Sequence, residues 1–330
     1  MNALRVLVVI EAALFGLAGC SGPGIPASLS PSAYTPASAA SSEELFVANH
    51  TFVTVYAANG KLLRKISTGL SAPAALALDA NRNLYVANRK NSTVTVYRAG
   101  TTVLLRTISS GVSQPRALAF DKHGNLYVGN KGNGTVTVYA PQMKLPILTI
   151  ANVDPHVLIF DQLDRLYVGN PGLNEILVYE PPSTKAERIV HTHNGPLGIS
   201  VDQKEFLYCV NNTNVTVYTP TATTPSSRIV DGINFPSTLA RFESSLYVAN
   251  WGVNPTLSSI TVYNLKNLAL VQTIRRGIGD PLALAVDRTG NLFVANGAYS
   301  TVTVYAAGKT SPLHTISTAI REPVALAIAP

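Results

Sequence analysis

The chain has 330 residues, of which 46% are hydrophobic and 13% are charged. This composition excludes an intrinsically disordered chain, because disorder requires low hydrophobicity and a high density of charge. The net charge of +7 is spread over the whole length without a cluster of Lys and Arg, so nucleic acid is not predicted as a partner. Two cysteines are too few for a disulfide scaffold.

The first residues predict export from the cytoplasm. An apolar run from Val6 to Ala18 follows a single positive charge at Arg5, which is typical of a secretory signal peptide. Glu11 interrupts the run, so a membrane span is not predicted. The segment Leu17–Cys20 resembles the lipobox of bacterial lipoproteins, in which the cysteine is lipidated after cleavage. The resemblance implies a signal peptide over residues 1–19 and a lipid anchor at Cys20.

Residues 20–43 are rich in Ser, Pro and Ala and predict a tether between the anchored cysteine and a folded domain over residues 44–330. We therefore expect the protein in the cell envelope, held by lipid at the outer membrane or cell surface. The alternative is an ordinary secreted protein in which Cys20 has no special role.

The folded part is an internal repeat. A segment resembling Leu-Tyr-Val-Ala-Asn, followed by one resembling Val-Thr-Val-Tyr, occurs seven times, starting at Leu45, Leu84, Leu126, Leu166, Leu207, Leu246 and Leu292. The spacings are 39, 42, 40, 41, 39 and 46 residues. A period near forty residues indicates a repeat architecture.

Each unit predicts four short strands. In one unit these are Arg116–Asp121, Leu126–Gly129, Thr135–Tyr139 and Ile147–Ile150. Four antiparallel strands per repeat predict an all-β, seven-bladed β-propeller. The repeats begin with a second strand and end with a first strand, Val324–Ile328, so the C-terminal strand is expected to close the ring by a 3+1 arrangement. A solenoid is the alternative, but it would need polar capping repeats at its ends.

The repeat also resembles a known group of propellers. Pro115–Asn130 and Pro281–Asn296 carry the pattern Pro-x-x-Leu-Ala-x-Asp-x-x-Gly-Asn-Leu-x-Val-x-Asn most fully. This pattern resembles the NHL repeat and the wider YVTN and gluconolactonase-like propellers. Gluconolactonase-like members hold a divalent metal with carboxylate and amide side chains from the starts of the inner strands. The matching positions here contain no carboxylate, so neither a metal nor another cofactor is predicted: Ala74, Arg116, His156, Leu197, Ser237, Leu282 and Val324.

Candidate binding residues lie in two sets of loops that should share one face of the ring. The loops before the innermost strands carry a mixed ring of polar residues around the channel mouth: Gln114, Arg116, Asp154, His156, Asp280, Arg321 and Glu322. The loops after the second strands add three more candidates, Arg89, Lys131 and Trp251. Solvated charge around a water-filled pore is the alternative interpretation of the ring. The Asn that ends each second strand is expected to stabilise an Asx-type turn rather than bind a ligand.

Other combinations of residues are weaker signals. Asp154 and His156 are a possible base and its orienting partner, although their spacing does not show that the side chains meet. His191 and His193 alternate along one strand but lack a third metal ligand. Cys209 is expected to be a core residue, and the aspartates that end the inner strands are expected to accept backbone hydrogen bonds in the following turns.

Two functions remain open from the sequence. The first is a tethered, non-catalytic, monomeric propeller that binds a small molecule, a glycan or a protein partner at the channel-mouth face. The second is a lactonase-like or lyase-type enzyme that acts at the same mouth. Catalytic residues are not assigned, because a propeller supports many functions.

Overall fold

The computed structural model describes residues 43–329. The predicted signal peptide, Cys20 and the predicted tether up to residue 42 lie outside this range. Within residues 43–329 no helix is long and apolar enough to cross a membrane.

The described residues form a sequence of short strands. In chain order these are β1 (Glu44–Ala48), β2 (Val53–Ala57), β3 (Leu62–Ile66), β4 (Pro73–Leu78), β5 (Leu84–Asn88), β6 (Thr93–Tyr97), β7 (Leu104–Ile108), β8 (Pro115–Phe120), β9 (Leu126–Asn130), β10 (Thr135–Tyr139), β11 (Leu148–Ala151), β12 (Val157–Phe160), β13 (Leu166–Asn170), β14 (Glu175–Tyr179), β15 (Arg188–His191), β16 (Gly198–Val201), β17 (Leu207–Val210), β18 (Val215–Tyr218), β19 (Ser227–Ile229), β20 (Pro236–Phe242), β21 (Ser245–Asn250), β22 (Ser259–Asn264), β23 (Leu270–Ile274), β24 (Pro281–Val286), β25 (Leu292–Asn296), β26 (Thr301–Tyr305), β27 (His314–Ile316) and β28 (Ala325–Ala329). A short 3-10 helix, Pro255–Leu257, lies between β21 and β22.

These strands make seven antiparallel four-stranded sheets, which are the blades of a seven-bladed β-propeller. Blade 1 has the strand order β28-β1-β2-β3, and blades 2 to 7 each use four consecutive strands, from β4–β7 to β24–β27. The predicted fold class and strand number are confirmed.

The innermost strands contact one another around the ring, in the order β28, β4, β8, β12, β16, β20 and β24. Small residues suit this position because the blades converge there, and Ala75, Ala117 and Ala283 are fully buried. The second and third strands are buried on both faces, since each blade packs against a neighbour on either side. This explains why the sequence shows nearly continuous apolar runs instead of a clear alternation.

The ring is closed by pairing the two ends of the described chain. Strand β28 lies antiparallel to β1, with Ala329 opposite Glu44 and Ala325 opposite Ala48. The predicted 3+1 closure is therefore confirmed. It removes the unpaired strand edges that an open arrangement would expose.

The repeated Asn is buried and joins two loops. In blade 3, the Asn130 Oδ1 atom accepts a hydrogen bond from the Ser113 backbone N–H at 3.0 Å, and its Nδ2 atom donates to Thr137 Oγ1 at 2.9 Å. The third-strand Tyr139 hydroxyl donates to the Ser110 carbonyl, in the same loop as Ser113, at 2.6 Å. Asn and Tyr thus hold the chain where it crosses from one blade to the next.

The same Asn-to-loop bond recurs in five other blades, through Asn49, Asn88, Asn170, Asn250 and Asn296. In blade 5, the Asn211 Oδ1 atom instead accepts from the Cys209 thiol at 3.5 Å. The predicted structural role of this Asn is correct. The bond, however, runs back to the loop before the innermost strand and not to an Asx-type turn.

Substituting Asn130 with alanine is expected to lower the free energy of unfolding by about 2 kcal/mol, because it leaves buried donors and acceptors without partners. Urea unfolding of the purified domain measures the loss. Asn133→Ala is the matched control, since Asn133 is exposed three residues further along, and its effect should stay below about 0.5 kcal/mol. Equal losses in the two variants would contradict the assigned role of Asn130.

Candidate functional site

One face of the ring, called here the site face, is built from the two predicted sets of loops. The Arg89 backbone N–H, just after β5, donates to the Ala72 carbonyl, just before β4, at 3.1 Å. In blade 3, the same two kinds of loop are joined by the Gly132 N–H, which donates to the Ser113 carbonyl at 3.0 Å. The loops before the innermost strands and those after the second strands therefore lie side by side, as predicted.

Five of the ten candidate binding residues come together on this face, in blades 2 to 4. We call this group the mouth cluster: Arg89, Arg116, Lys131, Asp154 and His156. Arg116 and His156 each follow the proline at the start of an inner strand, and the inner strands β8 and β12 of their blades are in contact. Equivalent positions in neighbouring repeats thus become neighbours in space.

Asp154 is the centre of the contacts within the cluster. Its carboxylate forms a close ion pair with Lys131, and its Oδ1 atom lies 3.6 Å from His156 Nε2. The Gly172 backbone N–H donates to the Oδ2 atom at 3.1 Å, and the Asp154 N–H donates to Asn170 Oδ1 at 2.9 Å. The side chains of Asp154 and His156 do approach each other, which their spacing in the sequence could not show.

The side chain of His156 is buried and has no hydrogen-bonded partner. Its exposed fraction is 2%, and neither ring nitrogen has a hydrogen-bond partner within the described part of the chain. Burial lowers the pKa of His156 to about 4, the positive charges of Arg116 and Lys131 add to this lowering, and Asp154 opposes it. The ring is therefore neutral at pH 7, with one nitrogen able to donate and the other able to accept.

Arg116 makes the cluster electropositive. Its exposed fraction is 8%, and burial lowers its pKa to about 10, with a further lowering by the charge of Arg89 and an opposing effect of Asp154. The guanidinium remains charged at pH 7. Arg116 and the nearby Arg89, together with Lys131, outnumber the one carboxylate of the cluster.

Because the pKa of His156 is lower in the folded protein, the unfolded chain takes up a proton at this residue between about pH 6.5 and pH 4. The free energy of unfolding should therefore fall as the pH drops through this window, by up to roughly 3 kcal/mol for this group. Urea unfolding from pH 7.5 to pH 4.5 is the measurement. In a His156→Gln variant, this part of the dependence of the unfolding free energy on pH should be absent.

His123→Gln is the control for that series, because the His123 side chain is 68% exposed on the opposite face of the ring. Its unfolding should keep the slope of the parent protein. If His156→Gln also kept that slope, the burial of a neutral His156 would be contradicted.

The other predicted residues before the inner strands tie adjacent blades together through their backbones. Gln114, Asp280 and Glu322 each have a positive φ between 43° and 48°. Each donates its N–H to the Oγ atom of a serine in the preceding blade, at 3.0 to 3.3 Å. Gln114 also lies against Gly132, beside the mouth cluster. The Arg321 N–H donates to Asn49 Oδ1 at 2.8 Å, in blade 1 and away from the cluster.

Trp251 links blades 6 and 7. Its indole N–H donates to the Pro281 carbonyl at 3.0 Å, and its own carbonyl accepts from Ser258 Oγ at 2.5 Å. The indole ring of Trp251 is partly buried against the core of these blades. The N–H edge of the indole therefore stabilises the contact between the two blades.

The remaining sequence signals have structural roles. Asp121 accepts the backbone N–H groups of residues 123 and 125 in its turn, and the equivalent aspartates of other blades do the same, as predicted. Cys209 is fully buried, and burial raises the pKa of its thiol to about 12, so it is an inert core residue. His191 and His193 are both exposed, and His191 Nδ1 lies 3.8 Å from Glu175 Oε1.

One further group of potential metal ligands occurs within residues 43–329, on the face opposite the site face. It consists of Asp121, His123 and Asp164, whose ligand atoms lie within 4.8 Å of one another. Both carboxylates already accept backbone N–H groups, and Lys122 Nζ lies 3.7 Å from Asp164. These bonds account for the group as an inter-blade contact.

The comparisons with known proteins agree with this architecture. A family model described as lactonase, 7-bladed beta-propeller, matches residues 52–158, which is less than half of the chain. That range contains all five residues of the mouth cluster. Curated proteins give no match to the chain.

Solved structures similar to the chain include a candidate 6-phosphogluconolactonase from Bacteroides fragilis, with 15% identity and a TM-score of 0.72 over 89% of this chain and 100% of that chain. A second candidate 6-phosphogluconolactonase, from Bacteroides uniformis, has 15% identity and a TM-score of 0.69 over 87% and 99% of the two chains. Hydrazine synthase from Kuenenia stuttgartiensis has 20% identity and a TM-score of 0.64 over 73% and 78%. At these identities the likeness establishes the propeller fold.

Proposed function

We propose that the chain binds a small organic anion at the mouth cluster. The observation that carries this proposal is a neutral histidine, His156, that is buried beside Arg116 with both ring nitrogens lacking hydrogen-bond partners in residues 43–329. A buried polar group without a partner is costly, so its presence points to a ligand. Burial strengthens the attraction between an anion and the adjacent guanidinium.

Three residues of the cluster have distinct tasks in this proposal. Arg116 offers a planar fork of donors that suits a carboxylate or a phosphate. His156 supplies one donor and one acceptor to a polar group next to the anion. Asp154 is a positioning residue, because it holds Lys131 and lies beside the histidine ring.

Isothermal titration calorimetry with matched pairs of ligands tests the proposal. Gluconate and glycerol 3-phosphate should bind, whereas the uncharged glucose and glycerol should not. Binding should weaken between 50 mM and 500 mM NaCl, since part of the attraction is between charges. The proposal fails if neither anion binds, or if each uncharged compound binds as well as its anion.

Hydrolysis of a lactone is the second candidate, favoured by the lactonase family model and by the approach of Asp154 to His156. In this reaction His156 would take a proton from water, the hydroxide would add to the lactone carbonyl, and Arg116 would stabilise the oxyanion. The ring C–O bond would then break, and the leaving alkoxide would receive the proton. A histidine with a pKa near 4 is a weak base, so we place binding first.

A panel of sugar lactones separates the two candidates. Turnover above the uncatalysed rate that disappears in His156→Asn, with gluconate binding retained, would replace the binding proposal with the enzymatic one. Binding without turnover by the parent protein would exclude hydrolysis of the lactones in the panel.

We also propose that the propeller is monomeric and anchored in the cell envelope through Cys20. Glu43, the first described residue, is paired with Arg288 at 3.1 Å on the face opposite the mouth cluster. A tether attached there would leave the site face directed away from the membrane. Cys20→Ser should release the protein from the membrane fraction, and unchanged fractionation would refute the anchor.

A further inference from the structure

Four exposed apolar side chains lie on the site face in blades 6 and 7. We call this group the apolar patch: Phe235, Val253, Leu257 and Tyr299, with exposed fractions of 55%, 68%, 45% and 48%. Phe235 directly precedes β20, Val253 and Leu257 lie in the loop between β21 and β22, and Tyr299 lies between β25 and β26. All four positions belong to the loop sets that form the site face.

Hydrogen bonds and close contacts connect the segments that carry the patch in blades 6 and 7. The backbone N–H of Trp251 donates to the Phe235 carbonyl at 3.0 Å, and the neighbouring Gly252 is packed tightly against Leu257. The Trp251 indole reaches Pro281 of blade 7. The Tyr299 ring covers Gly279, where a Cβ atom would lie only 2.5 Å from the ring.

The loop that carries Val253 and Leu257 contains a short capped helix and leaves both side chains exposed. It accounts for the long repeat spacing of 46 residues, against 39 to 42 elsewhere. Asn254 caps its 3-10 helix, with its Oδ1 atom accepting from the N–H groups of residues 256 and 257 at 3.1 and 3.3 Å. An ordered loop that keeps apolar side chains in water is typical of a binding surface.

The order of blades places this patch opposite the mouth cluster. The cluster lies on blades 2 to 4, and in a closed ring of seven the position opposite blade 3 is the junction between blades 6 and 7. One part of the site face is therefore cationic, and the part across the ring carries the apolar patch. A ligand that spans the mouth would meet both.

We propose that the ligand is an anionic amphiphile, with its carboxylate or phosphate at the mouth cluster and its apolar chain extended across the mouth to the apolar patch. The inference rests on the proposed binding of an anion and adds the class of molecule. Charge complementarity selects the head group, and burial of the chain against Phe235 and Tyr299 supplies further affinity.

A series of linear carboxylates, from acetate to decanoate and below micelle-forming concentrations, tests this inference. Trp251 is the single tryptophan of the chain, so its fluorescence reports on the patch alone. Acetate should bind weakly and leave the emission unchanged. Once the chain is long enough to reach the patch, each added methylene should lower Kd about four-fold and shift the emission.

Two substitutions separate the patch from the head-group site. Phe235→Asn with Tyr299→Asn should leave acetate binding unchanged and remove most of the gain from chain length; asparagine suits the positive φ of 50° at residue 235. Leu313→Asn is the control, since Leu313 is 61% exposed before an outermost strand. It should preserve the gain.

The outcomes are distinguishable. If all carboxylates bind with the same Kd, the amphiphile is excluded but anion binding stands. If none of the carboxylates and neither gluconate nor glycerol 3-phosphate binds, both proposals fail. If Trp251 emission shifts with protein concentration alone, the patch joins copies of this chain and the amphiphile is again excluded.

Discussion

Replacing Arg116 with glutamine is expected to weaken the binding of gluconate and glycerol 3-phosphate by about a hundred-fold, or about 3 kcal/mol. The substitution removes the most buried cation of the mouth cluster and leaves a ligand carboxylate or phosphate without its forked donor. Calorimetry at constant ionic strength measures the loss. Arg116→Lys should give an intermediate affinity, because it restores the charge but not the planar pair of donors.

Arg98→Gln is the matched control for charge, since Arg98 is exposed on a loop between the third and fourth strands of blade 2, away from the cluster. Its binding should equal that of the parent protein. Thermal unfolding of all three variants verifies that the propeller is intact. Unchanged anion binding by a folded Arg116→Gln variant would refute the assignment of the site.

Replacing Leu326 with aspartate is expected to unfold the whole propeller, or to lower its free energy of unfolding by at least about 4 kcal/mol. Leu326 is 2% exposed in β28, the innermost strand of blade 1, and it packs in the same core as Leu45 and Val47 of β1. A carboxylate there would be buried without a partner in the strand pair that closes the ring. Circular dichroism with urea unfolding is the measurement.

Val271→Asp is the control, because Val271 is 62% exposed on the outermost strand β23 and its substitution should cost less than about 0.5 kcal/mol. Removing residues 322–330 should have the same effect as Leu326→Asp, since blade 1 then lacks its inner strand. A truncated protein that unfolds at the same urea concentration as the parent would show that the closure does not support the ring.

The architecture could be predicted because its causes are local and repeated. Short strands and turn residues recur in each unit, and small residues at the position of Ala75 and Ala283 recur in five of the seven. A unit of four strands has few ways to bury two faces. The strand boundaries differ from the prediction by about one residue, as in β8, which begins at Pro115 instead of Arg116. Closure followed from the unit beginning with a second strand.

The candidate site could be predicted only in part. The loop sets that share a face followed from the fold, so all ten candidate residues lie at loops or strand starts on that face. Which of them meet was decided by the neighbouring positions of blades 2, 3 and 4 in space. The apolar patch was missed, although the 46-residue spacing before Leu292 was a signal of an inserted loop.

The number of blades, the order of strands within each blade and the face that carries variable polar residues all follow from the amino-acid sequence. These properties depend on the period of about forty residues and on the strand and turn residues that recur with it, and both can be read from the sequence. Packing of the blades against one another, in contrast, buries His156 beside Arg116, pairs Asp154 with Lys131 and bonds Trp251 to the next blade. The physical reason is that burial and side-chain contact arise between repeats about forty residues apart, where local pattern carries no information on which side chains meet.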